Sequence, residues 1–148
     1  MNTRIMTIDD YDSAFALWMS TPNMGLNNLD DTREGIEKFL VRNPNTCFVT
    51  EVDNRIVGVV LCGHDGRRGY IHHAAVEGDM QRQGIGTKLV AAAVTALEEE
   101  GINKVALSAL ATNDKGNDFW EKQGFTTRPD LIYRNKTLAD LTRIYTTA

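Results

Sequence analysis

One stretch constrains this chain more than any other. An apolar, strand-like run from Tyr70 to Val76 leads into the polar loop Gln81-Arg82-Gln83-Gly84-Ile85-Gly86, and a helix-like run follows from Thr87 to Glu100. A strand that turns through glycines into an amphipathic helix leaves the first N–H groups of that helix without an intrahelical partner. With the partial positive charge of the helix N-terminus, those amides form a cradle for a pyrophosphate. Glycine lets a phosphate approach the main chain closely because it carries no Cβ. The competing reading is that Gly84 and Gly86 only shape a loop. As a cradle, the stretch restricts its ligand to something phosphorylated.

The loop matches neither common nucleotide fingerprint. Leu89 stands where a dinucleotide loop needs its third glycine, and no Gly-Lys-Ser/Thr ending is present. An ATP- or NAD-binding reading is therefore disfavoured.

Strand and helix patterns alternate along the rest of the chain, with no repeat and no linker long enough to divide domains. Arg4 to Ile8 reads as a first strand, and Asp9 or Asp10 as the cap of a helix whose apolar stripe is Tyr11, Ala14, Phe15 and Trp18. Thr21 to Asp30 is polar and turn-rich, and Thr32 to Val41 repeats the helical pattern. Cys47 to Val52 and Arg55 to Cys62, joined at Asp53-Asn54, predict an antiparallel hairpin, with Tyr70 to Val76 as the next strand. Leu89, Val90, Ala93, Val94 and Leu97 recur at helical spacing, and Gly101 follows as a C-terminal cap. Lys104 to Leu110 predicts a strand, Asp114 to Gln123 a short helix, and Phe125 to Asn135 one or two further strands. The expected class is α/β (α+β): a mixed, mainly antiparallel sheet flanked by about four helices, in one domain over residues 1–148.

Composition narrows the partners. A formal net charge of -4 and a pI near 5.3 argue against nucleic acid, whose phosphates call for a basic face. No apolar run approaches the roughly 20 residues of a membrane span, and the start carries no signal-peptide core, so the expected location is cytoplasmic. Cys47 and Cys62 lie in strand-like runs without metal-ligand spacing, which predicts two reduced, buried thiols and no metal.

Ala74-Ala75-Val76 followed by Gln81-Arg82-Gln83-Gly84-Ile85-Gly86 resembles the acetyl-CoA motif of the GNAT superfamily of N-acetyltransferases, Q/R-x-x-G-x-G/A. Asn113, Gly116, Phe119, Trp120, Glu121, Lys122, Gln123, Gly124 and Phe125 resemble that superfamily's downstream block, in the right order. The resemblance implies a central sheet with splayed strands at the acetyl-CoA site. It implies that the backbone of Ala74, Ala75 and Val76 pairs with the pantetheine arm. The amides of Arg82, Gln83, Gly84, Ile85, Gly86 and Thr87 would cradle the pyrophosphate, with Gln81 helping to form the loop. Asn113 would reach the cofactor arm, although an N-cap for the following helix is an equally ordinary use of Asn. The segment Met19 to Asp30 occupies the position that walls the acceptor site in relatives. Many small relatives are dimers, so a homodimer is compatible with the resemblance.

The implied reaction is acetyl transfer from a thioester to a primary amine of a small molecule, peptide or protein. An alkylamine with a pKa near 10.4 is almost fully protonated at neutral pH, so a base is required. Relatives often place Glu or His on the strand four or six residues before the position of Val76, which here selects His72 and Tyr70. Strand alternation puts Tyr70, His72 and Ala74 on one face and Ile71, His73 and Ala75 on the other. His72 is the preferred base, through a water, with an ordinary pKa near 6.5 suited to the role. The competing reading is a histidine packed beneath the sheet. A bulge in this strand would exchange the faces and bring in His73. Many relatives carry a tyrosine acid seven residues after the Asn, but this chain has Trp120 there, whose indole N–H is no proton source for a thiolate. Trp120 can pack against the cofactor arm, and Tyr133 is the candidate substitute acid. A backbone N–H near Val76 would stabilise the tetrahedral oxyanion. The missing tyrosine keeps an alternative open: a catalytically weak or inactive acyl-CoA-binding module of the same fold.

Overall fold

A computed structural model describes residues 1–147. Its elements are β1 (Asn2–Ile5), α1 (Tyr11–Ser20), β2 (Gly25–Asn27), α2 (Arg33–Arg42), β3 (Phe48–Val52), β4 (Arg55–His64), β5 (Gly69–Val76), α3 (Ile85–Glu99), β6 (Val105–Leu107), α4 (Asp114–Lys122) and β7 (Arg143–Tyr145). Short 3-10 turns at Ile8–Asp10 and Gly78–Met80 precede α1 and α3. The main sheet runs β1-β3-β4-β5-β6, antiparallel except for the β5–β6 pair, and β2 and β7 form a separate two-stranded sheet. This is the expected mixed, mainly antiparallel sheet with four α-helices.

The centre of the sheet follows from β4, an almost unbroken apolar run that demands cover on both faces. Val59 and Leu61 face a core with Trp18 of α1 and Leu40 of α2, whereas Val60 and Cys62 face Leu89 and Leu97 of α3. Each such aliphatic side chain contributes about 1.5–3 kcal/mol when fully buried. The hairpin into β4 turns at Asp53 and Asn54, both with positive φ (52° and 62°), a pairing that suits the twist of adjoining strands. At Gly58 a Cβ would lie 2.8 Å from Leu89 and 2.9 Å from Ile85, so α3 packs directly against the β4 backbone. That contact brings the N-terminus of α3 to the end of β5.

Three expectations need correction. The first strand is Asn2–Ile5 rather than Arg4 to Ile8, because Ile8 already belongs to the turn into α1. Only Val105–Leu107 of the Lys104 to Leu110 run pairs with β5. Phe125 to Asn135 forms no strand. Residues 126–140 are exposed throughout, and within them one backbone hydrogen bond is present, Leu131 N–H to Arg128 O at 3.1 Å. The late strand is β7, further along. It pairs with β2 because Leu26 and Ile144 meet in register and enter the α1 and α2 core. Thr146 locks this pairing: its Oγ1 accepts from Met24 N at 2.8 Å and its N–H donates to Met24 O at 2.9 Å.

Candidate active site

The glycine loop folds as a backbone cradle. Gly84 is the N-cap of α3 in the left-handed region (φ 80°), and no side chain caps the helix. The first intrahelical bond runs from Lys88 N–H to Gly84 O at 3.0 Å, so the N–H groups of Ile85, Gly86 and Thr87 precede the helical ladder. Arg82 also takes a positive φ, 66°, which turns the loop tightly above them. A Cβ on Gly86 would come within 3.2 Å of Phe119, so this glycine seats α4 against α3. Gln81 ties the loop to the strand: its Nε2 donates to Val76 O at 3.1 Å, and its Oε1 accepts from Lys115. Gln123 donates to Thr87 Oγ1 at 3.1 Å from the end of α4.

Beside the loop, the main sheet opens. The β5–β6 register covers Gly69 to Ile71 against Val105 to Leu107, and β5 continues to Val76 without β6 beside it. A cavity of about 270 Å³ fills this divergence, lined by His72, His73 and Ala74 on one side and by Leu107 to Leu110, Asn113 and Trp120 on the other. Asn23, Met24 and Gly25 line a third side, in the segment expected to wall an acceptor site. Asn113 is the N-cap of α4, accepting from Gly116 N at 3.0 Å, and also lines the cavity. Trp120 is half-buried between Phe119 and Phe125, with ring centroids at 5.0 and 5.3 Å. Ala74 lines the cavity, whereas the Ala75 side chain is buried in the α1 and α2 core.

The histidines depart from simple alternation. Leu61 pairs with His73 and Cys62 with Ile71, so His72 is one extra residue on β5, a β-bulge. Ile71 lies in the α3 core, while His73 packs against Trp18 of α1 with ring centroids at 4.9 Å and the rings tilted. His72 meets Phe39 of α2 edge-on at 5.2 Å and Tyr70 at 4.7 Å. Both histidines therefore reach the α1 and α2 side and line one cavity, which corrects their expected placement on opposite faces. His72 keeps an open edge, yet the protein around its ring lowers its pKa below 6.5, with the charge of His73 the second cause. His73 Nε2 meets Asp31 Oδ1 at 2.6 Å, and Asp31 is only 5% exposed. Asp31 had no sequence signal: it lies 42 residues from His73, in a segment with no periodic pattern.

The remaining candidates divide. Tyr70 stands next to the site, its hydroxyl 2.8 Å from Ser108 Oγ, and Ser108 lines the cavity. Tyr133 is 70% exposed and outside the cavity lining. Its expected role as substitute acid is not met, because the strand that would have carried it inward does not form. Both cysteines are buried, and burial pushes each thiol up to about 12, so neither supplies a thiolate nucleophile. Among the described residues no group of three His, Cys, Asp or Glu side chains is placed to hold a metal ion, and no helix is long and apolar enough to cross a membrane.

Residues 11–125 match the model of the Acetyltransferase (GNAT) family. An acetyltransferase of Pectobacterium atrosepticum is 31% identical over 140 residues, covering 95% of this chain and 97% of that protein. The fold is similar to that of Ard1 from Thermoplasma volcanium, with a TM-score of 0.75 and 21% identity over 84% of this chain and 82% of that one. It is also similar to the PaiA N-acetyltransferase from Thermoplasma acidophilum, solved in complex with coenzyme A, with a TM-score of 0.73 and 14% identity over 86% of this chain and 90% of that one. With the family model spanning the histidine strand, the glycine loop and α4, this chain belongs to the GNAT acetyltransferase family and is an N-acetyltransferase.

Proposed function

We propose that the chain is an acetyl-CoA-dependent enzyme that moves an acetyl group directly to a primary amine of a small molecule, peptide or protein. One observation carries this reading. The uncapped amides of α3 lie at one end of the unpaired stretch of β5, and the two histidines lie in that same stretch. The residues fit acetyl-CoA: a diphosphate suits the Arg82 to Thr87 backbone, and an extended pantetheine suits the free edge of Ala74 to Val76. Asn113 and Trp120 flank that arm across the cavity. The similar PaiA fold was solved in complex with coenzyme A, which supports acetyl-CoA as the cosubstrate.

Bound acetyl-CoA supplies an activated thioester. The amine nitrogen forms a bond to its carbonyl carbon, the C–S bond breaks, and the sulfur leaves as thiolate, to be protonated afterwards. The chain's own groups deal with the charges. The histidine pair takes the amine proton, and the main-chain N–H near Val76 holds the developing oxyanion. Asn23, Met24 and Gly25 present amide and apolar surface to the acceptor. A thiol with a pKa near 8.5 leaves without a tyrosine acid at a cost of about 10² to 10⁴ in rate, the usual range for acid catalysis. Trp120 is the one observation that favours the alternative, an acyl-CoA-binding module with weak or no catalysis. A single domain over residues 1–148, a cytoplasmic location, a homodimer, and no nucleic-acid or membrane partner belong to the same proposal.

The test is CoA release from acetyl-CoA across a panel of polyamines, aminoglycosides, amino acids and peptide N-termini. Release above hydrolysis with at least one amine is expected. Tight acetyl-CoA binding with background release throughout would establish the binding module instead.

A further inference from the structure

One of the two cavity-lining histidines, His73, is paired with a buried carboxylate, Asp31, which does not itself line the cavity. Side-chain exposures are 10% for His73 and 7% for Asp31. Asp31 is held from three directions. Its Oδ2 accepts from Asn27 N at 2.8 Å, its carbonyl accepts from the Tyr11 hydroxyl at 2.6 Å, and its Oδ1 meets His73 Nε2 at 2.6 Å. A carboxylate only accepts, so Nε2 must carry the hydrogen of that bond. In a neutral ring the lone pair is then on Nδ1. Among the described residues Nδ1 has no hydrogen-bond partner, and the ring lines the cavity.

We infer that Asp31 is a positioning residue that fixes His73 as the Nε2–H tautomer, making Nδ1 of His73 the atom that takes the proton of the attacking amine, directly or through one water. This rests on the N-acetyltransferase reading. The amine N–H bond breaks as the C–N bond forms, the proton moves to Nδ1, and the imidazolium keeps its Nε2–H on Asp31. The proton then passes to solvent or to the departing thiolate, which restores the neutral ring. His72 lacks such an anchor: it has ring neighbours, Phe39 and Tyr70, and among the described residues no hydrogen-bond partner that would choose its tautomer. The groups facing His73 are Trp18 of α1, Asp31 with Asp30 beside it in the connection to α2, and His72 on its own strand. Burial of the His72 ring, and after it the charge of His73, both oppose a proton on His72.

Asp31→Asn separates positioning from scaffolding. Asparagine keeps an oxygen for Asn27 N–H but turns an NH₂ toward His73, so Nε2 becomes the acceptor and Nδ1 acquires the hydrogen. Long-range ¹⁵N correlation spectra of the histidine rings should show His73 as Nε2–H in the native protein and as Nδ1–H in the variant. The kcat should fall by about 10² to 10⁴, the range of a lost base. The acetyl-CoA KM should hold, and the acid limb of the pH profile should disappear. His73→Gln should lose as much, and the double variant no more than either single one. The inference is overturned if His73 is the Nδ1–H tautomer in the native protein, or if Asp31→Asn switches the tautomer while kcat stays. A native protein that releases no CoA with any amine removes the enzymatic reading instead, and the tautomer spectra still decide the role of Asp31. A variant that fails to fold leaves His73→Gln to decide: native kcat there overturns the inference.

Discussion

The two sides of the cavity are made of different material. The side that suits the cofactor is main chain: the amides ahead of the α3 ladder, the free edge of β5 and a loop shaped by Gly84 and Arg82. The side that suits the acceptor is side chain, drawn from β5, the connection to α2 and the β2–β7 ribbon. A backbone cradle tolerates many side chains but few changes of φ. A side-chain constellation tolerates backbone variation elsewhere and fails on single truncations. Substitutions on the two sides should therefore separate binding from turnover.

The largest effect is expected on the side-chain half. Replacing both histidines, His72→Ala with His73→Ala, should lower kcat by about 10² to 10⁴, because among the described residues no other titratable side chain lines the cavity. Acetyl-CoA affinity by calorimetry should be unchanged. A parallel loss of affinity would show that the two halves are not separate, since the histidines would then be supporting the β5 edge.

The next effect belongs to the backbone half. Gly84→Val forces a β-branched residue to φ 80°, where a Cβ costs roughly 1–2 kcal/mol. If the cradle binds only in this conformation, acetyl-CoA should bind roughly 5- to 30-fold more weakly, since 1.4 kcal/mol is tenfold. Turnover at saturating acetyl-CoA should persist. Gln83→Ala, whose assigned contribution is its N–H alone, should bind normally. A large loss there would mean that a side chain, not the main chain, grips the diphosphate.

The same contrast explains what was legible in the sequence. The glycine loop, β5 and α3 are contiguous, and their pattern of strand, polar loop and 3.6-residue periodicity is local. Asn113 as a cap was legible for the same reason. The acceptor half depends on pairings across the chain that no local pattern records: Asp31 with His73, and Leu26 opposite Ile144. Strand alternation placed the histidines on opposite faces because one extra residue, His72, reverses the parity and leaves no mark in composition. Phe125 to Asn135 misled for the converse reason. Its residues have strand propensity, but β-propensity reports fit to a packed, pleated surface, and this segment has none beside it.

The smallest expected effect is on stability, and it comes from His72 through its depressed pKa. Burial of the ring, with His73 the second cause, holds His72 below its ordinary 6.5 in the folded chain. Between the folded value and 6.5 the unfolded chain binds a proton that the folded chain does not, so stability rises with pH across that window. On acidification the loss begins as the pH falls through about 6.5 and is complete below the folded pKa. His72→Gln should flatten this part of the curve, measured by urea unfolding between about pH 7 and pH 5. Asp10 titrates lower. Burial pushes its carboxyl up, but the bonds from Arg4 and Thr7 N–H outweigh that and hold it below the ordinary carboxylate range, so its contribution is lost only below about pH 4. A native slope that survives unchanged in His72→Gln would mean that the ring is solvated in the folded protein. His72 would then open freely to the cavity, and the contrast between an anchored His73 and an unanchored His72 would sharpen.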